Sequence, residues 1–418
     1  MAKVYGRRGG NRRKQAELGE KMKDKHLKID SDFPLRPAWV EIDLGRLRRN
    51  LQLIRGDLPK PARLMAVVKD DGYGHGALDA ARIALEEGAW GLGLSTLEEA
   101  MALREGGISA PLLLLGERQE AELEWCVAHN LTVCVNEPLN VRALARIAAQ
   151  FNKRVPVHLK INTGMSRYGA RWDEALPLVQ QIVSEKSLLL EGIMTHFAQS
   201  DETVKTFANL QFSRFTEVLR ALEERKISVP LRHTCNSGGF LDLPHAHLDM
   251  VRIGILIYGV FPSQVCRRIP GIEPVMSVKA KIAAIQKLKP GEVVGYGMRY
   301  QARDERRIAV LPIGYGDGFP RVRNEGYAVI HGRRAPLVGG VAMDALIVDI
   351  TEIPQAQMWD EAVIMGRQGA EEITVRDIAR LKNSVTYDVL ANWRLRLQRK
   401  NVNAIKKVET QTAISISG

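Results

Sequence analysis

Cysteine is scarce in this chain: Cys126, Cys134, Cys235 and Cys266 are all there is in 418 residues, and none forms a Cys-x-x-Cys pair. That usage signals neither a zinc site nor a disulfide framework and fits a reducing, cytoplasmic setting. Long apolar runs are missing as well. Nothing approaches the roughly 20 consecutive apolar residues that cross a bilayer, and the opening segment lacks the apolar stretch of a secretory signal. His245-Ala246-His247 looks superficially like a metal pair, but no third ligand stands at a convincing spacing, so no metal is expected and the stretch reads as a loop. Acidic residues are outnumbered, with 48 Asp+Glu against 60 Lys+Arg for a formal net charge of +12. Much of that excess crowds into the first thirty residues, at Arg7, Arg8, Arg12, Arg13, Lys14, Lys21, Lys23, Lys25 and Lys28. Residues 1–35 therefore read as a basic, disordered, solvated extension in preference to a nucleic-acid-binding arm, and 401–418 as a tail without periodicity.

What remains is ordinary globular material, 45% hydrophobic and 26% charged, long enough for two domains. Short apolar runs alternate with amphipathic stretches from Ala38 to about Pro262. Strands are expected at Leu64–Lys69, Trp90–Leu94, Leu112–Leu115, Thr132–Val135, Val157–Asn162, Leu189–His196, Leu231–Cys235 and Leu248–Ile253. Helices such as Thr96–Glu105, Leu139–Phe151 and Lys205–Lys226 fall between them. Eight strands with crossover helices make an α/β fold of the (β/α)8 TIM-barrel type, assigned to residues 36–268. Past Pro270 the texture changes to β-branched runs broken by Gly and Pro, at Val275–Leu288, Arg307–Pro312, Ala328–His331 and Ala345–Ile350. This predicts a mostly-β domain over 269–400 with one late helical piece, Val375–Leu381.

Met65-Ala66-Val67-Val68-Lys69-Asp70-Asp71-Gly72-Tyr73-Gly74-His75-Gly76 is the stretch around which the rest is organised. An apolar run delivers Lys69, read as the last residue of its strand, into a glycine-spaced loop. In parallel α/β folds the carboxyl ends of strands form the mouth of the active site, where an amine can act as a nucleophile or anchor pyridoxal phosphate covalently. From residue types alone, a solvated lysine at a loop start is an equally good reading.

Val-Val-Lys followed by Tyr-Gly-His-Gly resembles the lysine motif of the alanine racemase family, pyridoxal-phosphate enzymes with an N-terminal β/α barrel and a C-terminal β domain. The resemblance runs from about Ala38 to Leu397. It implies that Lys69 holds the cofactor and that Tyr73, Ser237, Gly254, Ile255 and Tyr387 contact its phosphate. Taken singly, the glycine clusters Asn236-Ser237-Gly238-Gly239 and Arg252-Ile253-Gly254-Ile255 read as turns. The resemblance also places His196 beside the cofactor ring and Arg252 against its pyridine nitrogen. A guanidinium only donates, so that nitrogen would stay unprotonated and the ring would be a weakened electron sink.

By the same resemblance, Arg167 in Thr163-Gly164-Met165-Ser166-Arg167 takes the substrate carboxylate, in keeping with the bidentate match of guanidinium to carboxylate, and Lys160 aligns with a lysine carbamylated in some relatives. A racemase needs a base on each face of Cα. Tyr296, in Gly295-Tyr296-Gly297, matches the family's second base, which reaches the active site of the other subunit of a homodimer, as would Met343. Three departures stand out: Asp70-Asp71 where small or amide residues are usual, Asn162 where an acid is frequent, and Gly340 where many relatives carry an arginine near the substrate entrance.

The resulting expectation is a cytoplasmic amino-acid racemase that interconverts L- and D-alanine and supplies D-alanine for peptidoglycan. Racemisation of serine, lysine or arginine is the alternative motivated by Gly340 and the two acids. A barrel-type decarboxylase would offer a cysteine and an acid where this chain has Tyr296 and Met343. A non-enzymatic cofactor carrier would need no β domain.

Overall fold

In the computed structural model, residues 36–404 are described; the basic extension and the last fourteen residues of the expected tail lie outside them. Eight parallel strands lie side by side in the order Met250–Ile253, Arg63–Val67, Gly91–Leu94, Leu112–Leu114, Thr132–Val135, Val155–Asn162, Leu188–Met194, Leu231–His233. Between the last and the first, single bonds take over from a ladder: Asp249 N donates to Arg232 O and Arg252 N to Cys235 O, each at 3.0 Å. The result is a nearly closed barrel. Each strand is short and buried on both faces, so its sequence is a continuous apolar run in place of an alternation. Inside the barrel Met65, Leu113, Cys134, Met194 and Met250 pack together.

The helices end where the sequence says they should. Leu97–Glu105 begins at a capping box in which the Thr96 hydroxyl and the Glu99 carboxylate each accept a backbone N–H of the other. Pro138 starts the helix to Gln150, and the long helix Thr206–Glu224 turns Ala208, Gln211, Phe215, Val218, Leu219 and Leu222 inward.

The β domain is built on a sheet in the order Arg333–Pro336, Tyr327–Ile330, Glu361–Gln368, Met276–Lys281, Ala38–Asp43, Gln398–Val402, with a second sheet of Ala284–Leu288, Arg306–Leu311 and Leu346–Asp349. Two of these strands correct the sequence reading. Ala38–Asp43, expected with the barrel, pairs antiparallel with Met276–Lys281 (Val40 opposite Val278) and belongs to the β domain. Gln398–Val402, expected to run into a tail without structure, pairs in parallel with Ala38–Asp43. The run Gln-Arg-Lys-Asn-Val is an edge strand held by main-chain bonds, so it carries no apolar alternation to be read. The predicted Val275–Leu288 run is likewise two strands in different sheets.

Candidate active site

The strand that leads to Lys69 stops at Val67, two residues earlier than predicted. Asp70, Asp71, Gly72, Tyr73 and Gly74 then all take the left-handed backbone conformation (φ 48° to 78°), which costs an L residue roughly 1–2 kcal/mol each. Surrounding contacts hold this strained turn in place. Asp70 N donates to Glu99 Oε1 (2.7 Å), and Ala77 N donates to Asp71 Oδ1 (2.8 Å). The buried His75 ring stacks on Tyr258 at 4.3 Å, its Nδ1 2.9 Å from the Gly72 and Tyr73 carbonyls. Only hydrogen on Nδ1 satisfies two carbonyls, and burial pulls this imidazole down to about 4, so it stays neutral. Gly74 is required: a Cβ there would meet the Leu390 carbonyl at 2.5 Å, so the turn packs directly on the helix Thr386–Ala391 that carries Tyr387. Of the two acids, Asp71 caps the next helix. Asp70 faces the cavity, and burial together with Glu99 pushes its carboxyl up.

A cavity of about 830 Å³ opens at the carboxyl ends of the barrel strands, and Lys69, Tyr73, Lys160, Arg167, His196, Ser237, Arg252, Gly254, Ile255 and Tyr387 all line it. Residues up to 318 positions apart in sequence are thus brought to one place, counting from Lys69 to Tyr387. Burial, then Arg167, lowers the Lys69 amine below the ordinary lysine range, raising the share of the neutral form that attacks carbonyls. Lys160 is lowered as well, chiefly by burial; its ammonium donates to Leu115 O (3.2 Å) and lies 5.2 Å from the Tyr168 ring centre. Arg167 has no carboxylate partner among the described residues.

Arg252 is 2% exposed. Its Nη2 donates to the carbonyls of Thr195 (2.8 Å) and Thr234 (3.0 Å) and lies 3.2 Å from His196 Nδ1; Nη1 lies 2.9 Å from His233 Nδ1. Because guanidinium is a donor only, both histidines must accept through Nδ1. The tautomers of a whole chain follow: His233 Nε2–H donates to His158 Nδ1 (2.8 Å), and His158 Nε2–H to Glu191 Oε2 (3.1 Å). Burial, reinforced by Arg252, keeps His196 and His233 far below the usual imidazole range and therefore neutral. The Nε–H of Arg252 makes no hydrogen bond among the described residues and remains for an acceptor in the cavity. Period-two alternation explains the placement, since His158 and Lys160 point into the barrel while Val157, Leu159 and Ile161 pack outward.

The fit of a phosphorylated pyridine to this cavity is tested by the cradle beside Tyr73. Gly254 N donates to Ser237 Oγ (3.2 Å), the Asn236 side chain accepts Gly239 N (2.9 Å), and a Cβ on Gly254 would meet the Tyr73 hydroxyl at 2.6 Å. Burial raises the Tyr73 and Tyr387 phenols, so both remain protonated donors for a dianion. The residues fit: hydroxyls and backbone N–H groups at one end, a guanidinium inside, a lysine between. Gly254→Ala should push Tyr73 aside and weaken cofactor retention about 10- to 100-fold, the equivalent of one charge-assisted hydrogen bond at about 1.5–3 kcal/mol. Equilibrium dialysis against the free cofactor measures it, and retention equal to wild type would remove Gly254 and Tyr73 from the cradle.

A sequence profile described as "Alanine racemase, N-terminal domain" matches residues 42–262, and one described as "Alanine racemase, C-terminal domain" matches 275–401. The chain belongs to the alanine racemase family. An alanine racemase of Halothermothrix orenii is 37% identical over 371 residues, covering 88% of this chain and 98% of that protein. The alanine racemase structure from Streptomyces coelicolor superposes with a TM-score of 0.84 at 34% identity, over 90% of this chain and 100% of its own. That of Bacillus anthracis with bound L-Ala-P gives 0.83 at 30%, over 89% and 96%.

Two of the family positions stand apart from this cavity. Tyr296 and Met343 do not line it; both lie on the surface of the β domain, 83% and 52% exposed. Tyr296 sits in a tight turn between the short strands Val293–Val294 and Tyr300–Gln301. The Met343 carbonyl accepts Gly316 N (2.8 Å), fixing the Tyr315 loop against it. Gly340 lies next to the Tyr296 backbone, and a Cβ there would meet nothing nearer than Arg323 Cγ at 3.7 Å, so the space for a longer side chain is open. The sequence reading missed Glu99, His233 and the role of His158. Thr96-x-x-Glu99 was findable as a capping box; the histidines carried no local signal.

Proposed function

We propose that this chain is a pyridoxal-phosphate-dependent alanine racemase that works as a homodimer with shared active sites. The observation that carries this reading is the convergence of Lys69, Arg167, His196 and Arg252 with the Tyr73–Ser237–Gly254 cradle in one cavity, in a chain whose two domains match this family. Pyridoxal phosphate, when bound, supplies the electron sink that makes the α-hydrogen of an attached amino acid acidic. Lys69 anchors it and carries a proton to and from one face of Cα. Tyr73, Ser237, Gly254, Ile255 and Tyr387 hold the phosphate end. Arg252 and neutral His196 orient the ring, and a guanidinium that cannot give up its proton keeps the sink weak, favouring simple proton return.

Arg167 takes the substrate carboxylate. Lys160 is the candidate for carbamylation: burial favours the neutral amine that adds carbon dioxide, and the product anion would offset the cations of Lys69, Arg167 and Arg252. Tyr296 of the partner subunit serves as the second base and Met343 of the partner subunit lies against the carboxylate, in keeping with their exposure here. We place the enzyme in the cytoplasm, where its four buried thiols stay reduced, supplying D-alanine for peptidoglycan.

Chiral chromatography of L-alanine, L-serine, L-lysine and L-arginine incubated separately with the purified protein tests the reading. Alanine should reach a racemic mixture first, with the others slower by at least about tenfold, the scale of discrimination a small pocket achieves. Faster turnover of lysine or arginine would displace alanine as the substrate.

A further inference from the structure

We propose that Gln211 is a positioning residue that locks the substrate-carboxylate arm and the ring-orienting arm of the site to each other; this rests on the roles assigned above to Arg167, His196 and Arg252. Gln211 is completely buried, on the inward stripe of the helix Thr206–Glu224 where spacing calls for an apolar residue. All its polar atoms are used. The amide oxygen accepts Ala198 N (2.9 Å), and Nε2 donates to His196 O (3.1 Å) and Thr163 Oγ1 (3.1 Å).

Those donors set a one-way chain. Thr163 Oγ1 accepts from Gln211 and lies 2.7 Å from Thr195 Oγ1, whose own hydrogen goes to Ile161 O (2.9 Å). Thr163 therefore donates to Thr195. Thr195 is also the residue whose carbonyl takes Arg252 Nη2. On the other side, Thr163 opens the turn in which Asn162 Oδ1 accepts Gly164 N and Ser166 N, both at 3.0 Å, and that turn delivers Arg167. One amide thus holds the main chain on either side of Phe197 and, through the Thr163 hydroxyl, the base of the Arg167 turn, with the Thr195 hydroxyl continuing the chain to the residue whose carbonyl takes Arg252. A buried network of this kind fixes one geometry because every alternative leaves a donor or acceptor unmet.

The test uses the holoenzyme. Gln211→Met keeps the volume and removes all three bonds, while Thr163→Val removes only the hydroxyl link. Each should raise KM for alanine about tenfold and leave kcat within about threefold, the pattern of a lost ground-state binding geometry. The double variant should be no worse than the poorer single one, since both cut the same chain. Should Gln211→Met fail to fold, Thr163→Val alone decides. A lowered Tm with KM unchanged, or effects that multiply, would overturn the inference. Arg167→Lys is the control: if it leaves KM unchanged, the role given to Arg167 falls, and the inference with it. If it raises KM while the other two variants do not, the inference alone falls.

Discussion

Lys69→Ala is expected to give a colourless protein that racemises alanine more than about 10⁴-fold more slowly, because one substitution removes both the covalent anchor and a proton-transfer group worth about 10²–10⁴ by itself. The wild-type chain, reduced with borohydride, should carry the cofactor on the peptide containing Lys69 and on no other lysine. This expectation follows from where the amine sits. It is half-buried at the start of a turn whose left-handed residues are held by Glu99, Asp71 and His75, and burial and Arg167 lower its proton affinity. Among the described residues Lys160 is the other lysine that lines the cavity and is also lowered, so it is the meaningful competitor. Its ammonium is turned to the Leu115 carbonyl and the Tyr168 ring. A labelled Lys160 peptide would refute the assignment, and Lys69→Ala would then keep its colour.

Tyr296→Phe should lower racemisation by about 10²–10⁴, the usual contribution of one acid–base group, while leaving the cofactor bound and the protein coloured. The informative readout is hydrogen exchange with solvent. Lys69 remains, so deuterium should still enter the α position of the enantiomer whose hydrogen faces it, the D form by resemblance to the family, and the L form should be almost inert. Equal residual exchange of both enantiomers would show one base, or water, serving both faces. Because Tyr296 is exposed and absent from the lining of its own chain's cavity, the same variant also tests the shared site. Mixed with Lys69→Ala and allowed to exchange subunits, it should regain part of the activity, since one of the two sites in each heterodimer then has both bases. Heterodimers without recovered activity would mean that Tyr296 acts elsewhere.

Sequence alone determined the barrel. All eight parallel strands begin within two residues of their predicted starts, and the helices Leu97–Glu105, Pro138–Gln150 and Thr206–Glu224 lie within two residues of their predicted limits. Runs of buried apolar residues and 3.6-residue stripes are local patterns, written wherever an element has to be covered. The position of Lys69 just past a strand end, with Tyr73 four residues on, is local in the same way, whereas its assignment to the cofactor came from the resemblance of Val-Val-Lys and Tyr-Gly-His-Gly to the family motif. What only the tertiary structure decided depends on partners far away in the chain. Nothing in Ala38–Asp43 says that it will leave the barrel for Met276–Lys281, or that Gln398–Val402 will close on it, because main-chain pairing reads no side chains. The left-handed run at Asp70–Gly74 needed Glu99 and Leu390 around it. The Glu191–His158–His233–Arg252 chain and the Gln211 clamp are assembled from different strands and a helix, and hydrogen bonds between such elements leave no period in the sequence. A buried glutamine on an apolar stripe was the one trace of them, and its meaning lay in the carbonyl and the hydroxyl that the fold brings to it.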